Sequence, residues 1–150
     1  MASWIWNFSS TRKSEEPKEL CRLLWKDWSP NWNFDDAIYE KTATAFENED
    51  FVEIVIHSYR HRFGLVEGDP EFDEIEKVLE KSPEICVPSI AIEGGGDGVT
   101  PTGSYNHLDH LFKSSFNRRI IPEIGHNIPQ EAPKAFADAI MEVARKSSKI

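Results

Sequence analysis

The sequence predicts an α/β protein with a mostly helical first half, followed by a parallel strand-helix-strand-helix unit. In residues 1–82, apolar side chains recur at the three- and four-residue spacing typical of amphipathic helices. From Cys86 onward, short apolar runs bounded by Gly or Pro alternate with helical patterns. We therefore predict a helical region over 1–82 and an α/β region over 83–150.

Four helices are predicted in the first half, each with a recognisable start or stop. The first ends at Ser29-Pro30, because proline cannot continue the helical hydrogen-bond ladder. The second begins near Asn33, Asp35 and Asp36, which can cap the helix or interact with its dipole. The third ends at Gly64, and the fourth begins at Asp69-Pro70, a capping carboxylate followed by a proline at the first helical position.

The second half alternates strands and helices. The run Val87 to Ile92 predicts a strand buried on both faces, and Arg119 to Ile124 predicts a second strand. A helix around Leu108, Leu111 and Phe112 joins them, and Pro133 begins a closing helix. This order implies a right-handed parallel crossover. Because a parallel sheet of two strands is not stable alone, we expect these two strands to form the edge of a larger sheet.

Composition limits the classes of partner. The 150 residues have a formal net charge of −9, which argues against nucleic acid and anionic membranes. Cys21 and Cys86 lie far apart, so we expect no disulfide and a reducing, cytoplasmic location. The tail Ser148-Lys149-Ile150 is close to a Ser-Lys-Leu peroxisomal address, which leaves a peroxisomal location as the alternative. No cofactor is predicted.

Each predicted strand is followed by a turn with one chemically useful side chain. These turns are Gly94-Gly95-Gly96-Asp97-Gly98-Val99-Thr100-Pro101 and Gly125-His126-Asn127. Acid after one strand, histidine after the next and then a final amphipathic helix resembles the end of an α/β-hydrolase. The resemblance covers nearly the whole chain and is greatest to the haloalkane dehalogenase and epoxide hydrolase branch. In that branch an all-helical cap precedes these strands, and the region Leu20 to Glu80 is similar to such a cap. The resemblance implies the C-terminal portion of that fold.

The resemblance also implies roles for two side chains. His126 would be the base that accepts a proton from a serine hydroxyl, or from water if the nucleophile is an aspartate, and Asp97 would orient it. Taken singly, each side chain is better explained by turn structure. Their order, their spacing and the continuation from Pro129 to Pro133 together favour descent from a catalytic triad. No Gly-x-Ser-x-Gly elbow occurs in the sequence, and the oxyanion-hole loop has no counterpart.

Four further residues are candidates for binding substrate. Trp28 and Trp32 belong to a tryptophan-rich segment that could line a hydrophobic tunnel or form the core of the cap. His57 and Arg60 lie on one predicted helix with His61, where they could clamp an anion or supply half of a metal site. Because no carboxylate or cysteine completes such a site in the sequence pattern, we favour a solvated or cap-lining helix face and predict no metal.

Three hypotheses about function follow. The first is a truncated hydrolase without a nucleophile, inactive alone, whose parent activity is hydrolysis of a small-molecule ester, epoxide or halide. The second is one component of a split hydrolase, completed by a partner chain. The third is a non-catalytic module that binds a ligand or a protein. An unpaired edge along Val87 to Ile92 would also favour self-association.

Overall fold

The computed structural model describes residues 15–147, with side chains from Pro17 onward. The candidate peroxisomal tail Ser148-Lys149-Ile150 lies outside the described residues. The described chain divides into two compact units, one formed by 15–23 and 34–77 and the other by 24–33 and 78–147. Its helices are α1 (Glu15–Trp28), α2 (Asp36–Ala43), α3 (Phe51–Arg62), α4 (Asp73–Glu80), α5 (Ile128–Glu131) and α6 (Pro133–Ser147), and its strands are β1 (Ser89–Gly94) and β2 (Phe116–Ile121).

The first unit packs around Tyr39 of α2. This ring is 1% exposed and lies against the rings of Phe34 and Phe46, at 6.0 and 6.4 Å between centroids. Its hydroxyl donates a hydrogen bond to the Lys18 carbonyl, and the Arg22 guanidinium lies 4.6 Å from the ring centroid. Burial raises the pKa of the Tyr39 hydroxyl to about 12. A buried aromatic side chain whose polar atom is hydrogen-bonded therefore forms the centre of this unit.

The predicted helix signals are confirmed at atomic detail. Helix α1 ends at Trp28, immediately before Ser29-Pro30. Asp35 Oδ1 accepts the backbone N–H of Ile38 at 2.7 Å, and Asp69 Oδ1 accepts that of Glu71 at 3.0 Å. Helix α3 is followed by Gly64 in the left-handed region, with φ +66°. The fourth helix opens with a short 3₁₀ turn, Pro70–Phe72, before α4.

Strands β1 and β2 pair in parallel, with Ser89 opposite Phe116 and Gly94 opposite Ile121. Both are offset from their predicted positions. The first begins at Ser89 because Pro88 has no N–H to donate, whereas Ser89 N donates to Ser115 O at 2.8 Å. The second ends at Ile121, because Pro122 follows and Glu123 has a left-handed φ of +63°. Within residues 15–147 the other edge of β1 has no strand partner.

The connection between the strands is a 3₁₀ helix, Asn106–Leu111, and the helix predicted there is corrected accordingly. The segment is confined between Gly103, whose φ is +80°, and Phe112, which forms a parallel bridge with Ile85. Its backbone hydrogen bonds join residues three apart, as from Leu108 N to Tyr105 O at 3.0 Å, so the segment is wound as 3₁₀ turns and not as an α-helix. The predicted closing helix is present as α6, and its Glu142 pairs with Arg119 of β2.

Cys21 and Cys86 have free thiols, and burial raises the pKa of the Cys21 thiol. In the part of the chain that the structure describes, no helix combines the length and the hydrophobicity of a membrane span.

Candidate active site

The structure brings Asp97 and His126 into direct contact. Asp97 Oδ2 lies 2.9 Å from His126 Nδ1. Asp97 follows β1 and His126 follows β2, and because the strands are parallel, both turns leave the same edge of the sheet. The two residues that the sequence placed 29 positions apart therefore form one hydrogen-bonded pair.

Backbone N–H groups hold the Asp97 carboxylate in place. Its Oδ1 accepts from Val99 at 2.7 Å and from Thr100 at 3.0 Å, and the side chain is 11% exposed. Burial by itself would raise the pKa of Asp97. The hydrogen bonds from Thr100, His126 and Val99 together outweigh burial, so the pKa of this carboxyl lies below its usual value. Asp97 is consequently an anion at neutral pH.

This anion selects the tautomer of His126. An ionised carboxylate only accepts hydrogen bonds, so Nδ1 donates its proton to Asp97 Oδ2. In the neutral ring, Nε2 then keeps its lone pair and is the nitrogen that can accept a proton. The ring is 39% exposed, so His126 is accessible to solvent. An accessible proton-accepting nitrogen held by an ionised carboxylate is an arrangement that can act as a base and its orienting acid.

Trp28, predicted to bind substrate, lies beside His126. Its indole meets the His126 ring edge-on, with centroids 5.3 Å apart and planes at 69°. Trp32, the second candidate, stacks instead on Trp25 at 5.2 Å and 23°, and Trp25 is buried. The structure thus places one of the two predicted tryptophans against His126 and the other in a tryptophan stack.

Two glycines are required for the close approach of these turns to the end of α1. A Cβ on Gly98 would lie 2.0 Å from the Asp27 carbonyl oxygen, and a Cβ on Gly125 would lie 2.5 Å from the Cα of Ser29. Both obstacles are backbone atoms, which cannot move aside as a flexible side chain can. Any larger residue would separate the turns from the helix end.

A search of solved structures finds a similar protein, a proposed epoxide hydrolase from Klebsiella pneumoniae subsp. pneumoniae. It superposes with a TM-score of 0.85 and is 33% identical over 95% of this chain. The fold is that of part of an α/β-hydrolase. The chain spans 48%, about half, of that structure. No protein-family model matches the sequence, and no curated protein matches it significantly.

In this hydrolase-like fold, His57 and Arg60 lie on α3 in the first compact unit. His57 and Arg60 are both exposed. The His57 and His61 rings stack with centroids 6.4 Å apart, and His61 Nε2 lies 3.4 Å from Glu76 Oε1. Among residues 15–147 no cluster of three or more His, Cys, Asp or Glu side chains has the arrangement of a metal site.

An apolar groove of about 620 Å³ borders His126. It lies in the second unit between β1 and α6. Most of its lining is aliphatic or aromatic, and His126 and Ser89 are polar members. The lining also includes Ile90, Ile92, Ile128, Pro129, Phe136 and Ile140. An apolar surface next to a histidine favours binding of uncharged molecules or packing of further protein.

Two residues at this site were not predicted. Ser29, which the sequence marked only as a helix stop, is 1% exposed and contacts the histidine turn. Glu131 contacts the same turn from α5. A pattern in the sequence could have pointed to Glu131. It is the stretch Asn127 to Pro133, in which two prolines flank this glutamate four residues after Asn127. A short helix with Pro129 in its first turn directs that glutamate back toward the histidine.

Proposed function

We propose that this chain contributes the acid and the base of a hydrolase active site and does not hydrolyse substrates by itself. The observation that supports this most directly is the 2.9 Å hydrogen bond between Asp97 Oδ2 and His126 Nδ1. In this proposal, Asp97 is an orienter of the imidazole and a stabiliser of the imidazolium, and His126 is the base. Similarity to a proposed epoxide hydrolase supports the choice of hydrolysis.

The proton transfer assigned to His126 takes place at Nε2. With a serine nucleophile, Nε2 accepts the hydroxyl proton as the oxygen attacks; with an aspartate nucleophile, it accepts a proton from the water that cleaves the covalent intermediate. In both cases Asp97 stays ionised and the positive charge resides on His126. The proposed substrates are small esters, epoxides or halides, and the Trp28 ring is suited to form an apolar wall beside the reacting group.

The nucleophile and the oxyanion hole are proposed to come from a polypeptide segment outside these 150 residues. The chain spans 48% of the structure it resembles, and its sequence has no Gly-x-Ser-x-Gly elbow. The edge of β1 that lacks a strand partner among the described residues, together with the apolar groove beside it, supports such an assembly. A separate partner chain would make this protein one component of a split hydrolase.

Complementation tests the proposal. The half of the Klebsiella protein that this chain does not match is produced separately and mixed with the chain, and hydrolysis of styrene oxide, p-nitrophenyl acetate and 1-bromobutane is measured. We expect no activity from either polypeptide alone and activity on one substrate class from the complex. His126→Ala should abolish that activity, whereas His110→Ala, at an exposed histidine, should not. If the two polypeptides form a one-to-one complex that is inactive, the roles assigned to Asp97 and His126 are contradicted.

A non-catalytic binding module is the second candidate. It is favoured by the exposed face of α3, where His57 and Arg60 lie near Arg62, whose guanidinium is 5.5 Å from the Tyr59 ring centroid. The two candidates differ in which residues matter. Replacing Asp97 and His126 together should leave ligand binding by such a module unchanged, whereas replacing His57 and Arg60 should weaken it.

A further inference from the structure

Three consecutive backbone N–H groups of the histidine turn point to a pair of side chains, Ser29, which is buried, and Glu131, which is half-buried. Gly125 N donates to Glu131 Oε2 at 2.8 Å, and Asn127 N donates to Glu131 Oε1 at 2.9 Å. Between them, His126 N donates to Ser29 Oγ at 3.1 Å. Successive N–H groups that converge in this way form a concave site for an anion or an oxygen acceptor. Here Glu131 and Ser29 occupy that site.

The pair is also connected internally. Ser29 Oγ donates to Glu131 Oε1 at 2.7 Å and accepts from Asn127 Nδ2 at 3.2 Å. Ser29 is the fully buried polar side chain of the described residues, at 1% exposure. Because an unsatisfied buried hydroxyl is costly, its several partners indicate that the hydroxyl is held in one orientation. Ser29 and Glu131 are 102 positions apart in the sequence.

We infer that Ser29 and Glu131 are positioning residues, which fix the histidine turn and thereby aim the His126 imidazole at Asp97. The inference rests on the proposed role of His126 as a base. The pair acts mainly through the backbone, because it accepts the backbone N–H groups of Gly125, His126 and Asn127. Its side-chain contact in this turn is with Asn127 Nδ2 and not with the imidazole. The ring nitrogen Nδ1 is hydrogen-bonded to Asp97.

Two substitutions disturb the pair in different ways. Ser29→Ala removes the donor to Glu131 and one acceptor of His126 N, while the second acceptor, Trp28 O at 3.1 Å, remains. Glu131→Gln preserves the size of the side chain but replaces one carboxylate oxygen with an NH₂ group. Both oxygens of Glu131 accept backbone N–H groups, so this variant leaves one donor facing another donor.

The test measures hydrogen exchange at the His126 imidazole and does not depend on catalytic activity. In the ¹⁵N-histidine-labelled chain, the His126 Nδ1–H proton is observed by NMR, assigned by its loss in His126→Ala, and its exchange with water is timed. We expect Ser29→Ala and Glu131→Gln to accelerate exchange about tenfold, which corresponds to about 1.4 kcal/mol. The matched controls Ser115→Ala and Glu80→Gln, at exposed positions, should leave exchange unchanged.

A purely structural role gives a different result. If the two variants lower the unfolding temperature but leave Nδ1–H exchange as in the wild type, the positioning role is wrong. Should Ser29→Ala fail to fold, Glu131→Gln decides the question by the same two measurements. The NMR result needs no hydrolytic partner, so it can fail independently of the proposed function. In the complemented enzyme, both variants should lower kcat about tenfold with KM unchanged.

Discussion

The carbonyl oxygen of Trp28 accepts the backbone N–H of His126 at 3.1 Å, and the same oxygen accepts that of Gly98 at 3.0 Å. Trp28 is the last residue of α1, where carbonyl groups have no partner within the helix. The acid turn and the histidine turn supply the missing donors. One backbone atom at a helix end thus connects both turns, which explains how residues from separate strands keep a fixed distance.

Asp97→Asn should preserve the acid turn but reverse the histidine tautomer. The substituted asparagine would still accept from Val99 and Thr100 through its oxygen, but its NH₂ group would face His126 and make Nδ1 the acceptor. Nε2 then holds the proton and is no longer a base. In the complemented enzyme we expect kcat to fall by roughly 10⁴, the loss typical of replacing the Asp of a Ser-His-Asp triad with Asn.

The tautomer is read from ¹⁵N shifts of the His126 ring at neutral pH. Asp138→Asn, at an exposed position paired with Lys134, is the control and should change neither the shifts nor kcat. Wild-type ¹⁵N shifts in Asp97→Asn would show that Asp97 does not set the tautomer.

Gly125→Ala should destabilise the second unit more than Gly95→Ala. A Cβ at position 125 would be 2.5 Å from Ser29 Cα, whereas one at position 95 would be 3.1 Å from Pro122 Cα. The first distance forces the backbone to shift, at a cost of about 1–3 kcal/mol, and the second requires only a small adjustment. Urea unfolding of both variants gives the comparison. Equal losses of unfolding free energy would contradict the packing of Gly125 on Ser29.

Arg118→Ala should be strongly destabilising. Its side chain is 17% exposed and pairs with Glu93 of β1 and Asp109 of the connecting 3₁₀ helix, and Glu93 Oε2 also accepts Gly103 N at 2.7 Å. Removing the cation leaves two carboxylates close together, of which that of Glu93 is only 14% exposed. We expect a loss toward the lower end of about 3–5 kcal/mol, because Asp109 is 41% exposed.

Thermal and urea unfolding measure this loss, and Lys134→Ala is its control. The Lys134 and Asp138 pair is a surface pair on one helix, for which the expected loss is below about 1 kcal/mol. Arg118→Lys should recover only part of the stability, since a lysine does not bridge two carboxylates with a planar fork. A variant Arg118→Ala as stable as Lys134→Ala would refute the role assigned to this cluster.

Stability should decrease in acid through Glu142. Hydrogen bonds from Arg119 and then Lys146 hold the pKa of Glu142 at about 2, below its ordinary value of 4.5. Because the pKa is lower in the folded state, the contribution to stability is complete above pH 4.5 and is lost as the pH falls toward about 2. Glu142→Gln should flatten the pH dependence of urea unfolding in this window. The control Glu80→Gln should leave this pH dependence unchanged. An unchanged pH dependence in Glu142→Gln would contradict the pairing of Glu142 with Arg119 and Lys146.

Local signals predicted much of the fold. Ser29-Pro30, Asp35, Gly64 and Asp69-Pro70 marked helix ends that the structure confirms, because capping and proline geometry depend on neighbouring residues alone. Strand boundaries were less accurate, since both observed strands are displaced from the predicted runs. A strand ends where its hydrogen-bond partner ends, and that partner is remote in the sequence.

By itself, the sequence determined the order of the helices and strands. It also indicated Asp97 and His126 as candidate site residues, because each lies in a glycine-containing turn after an apolar run. Only the tertiary structure decided that residues 24–33 pack with the second unit, so that Trp28 and Ser29 meet the histidine turn. Ser29 and Glu131 had no shared pattern to reveal them, because their contact spans 102 positions and depends on where α1 ends and α5 turns back. Hydrogen bonds between distant backbone segments are set by packing, and packing is a property of the whole chain.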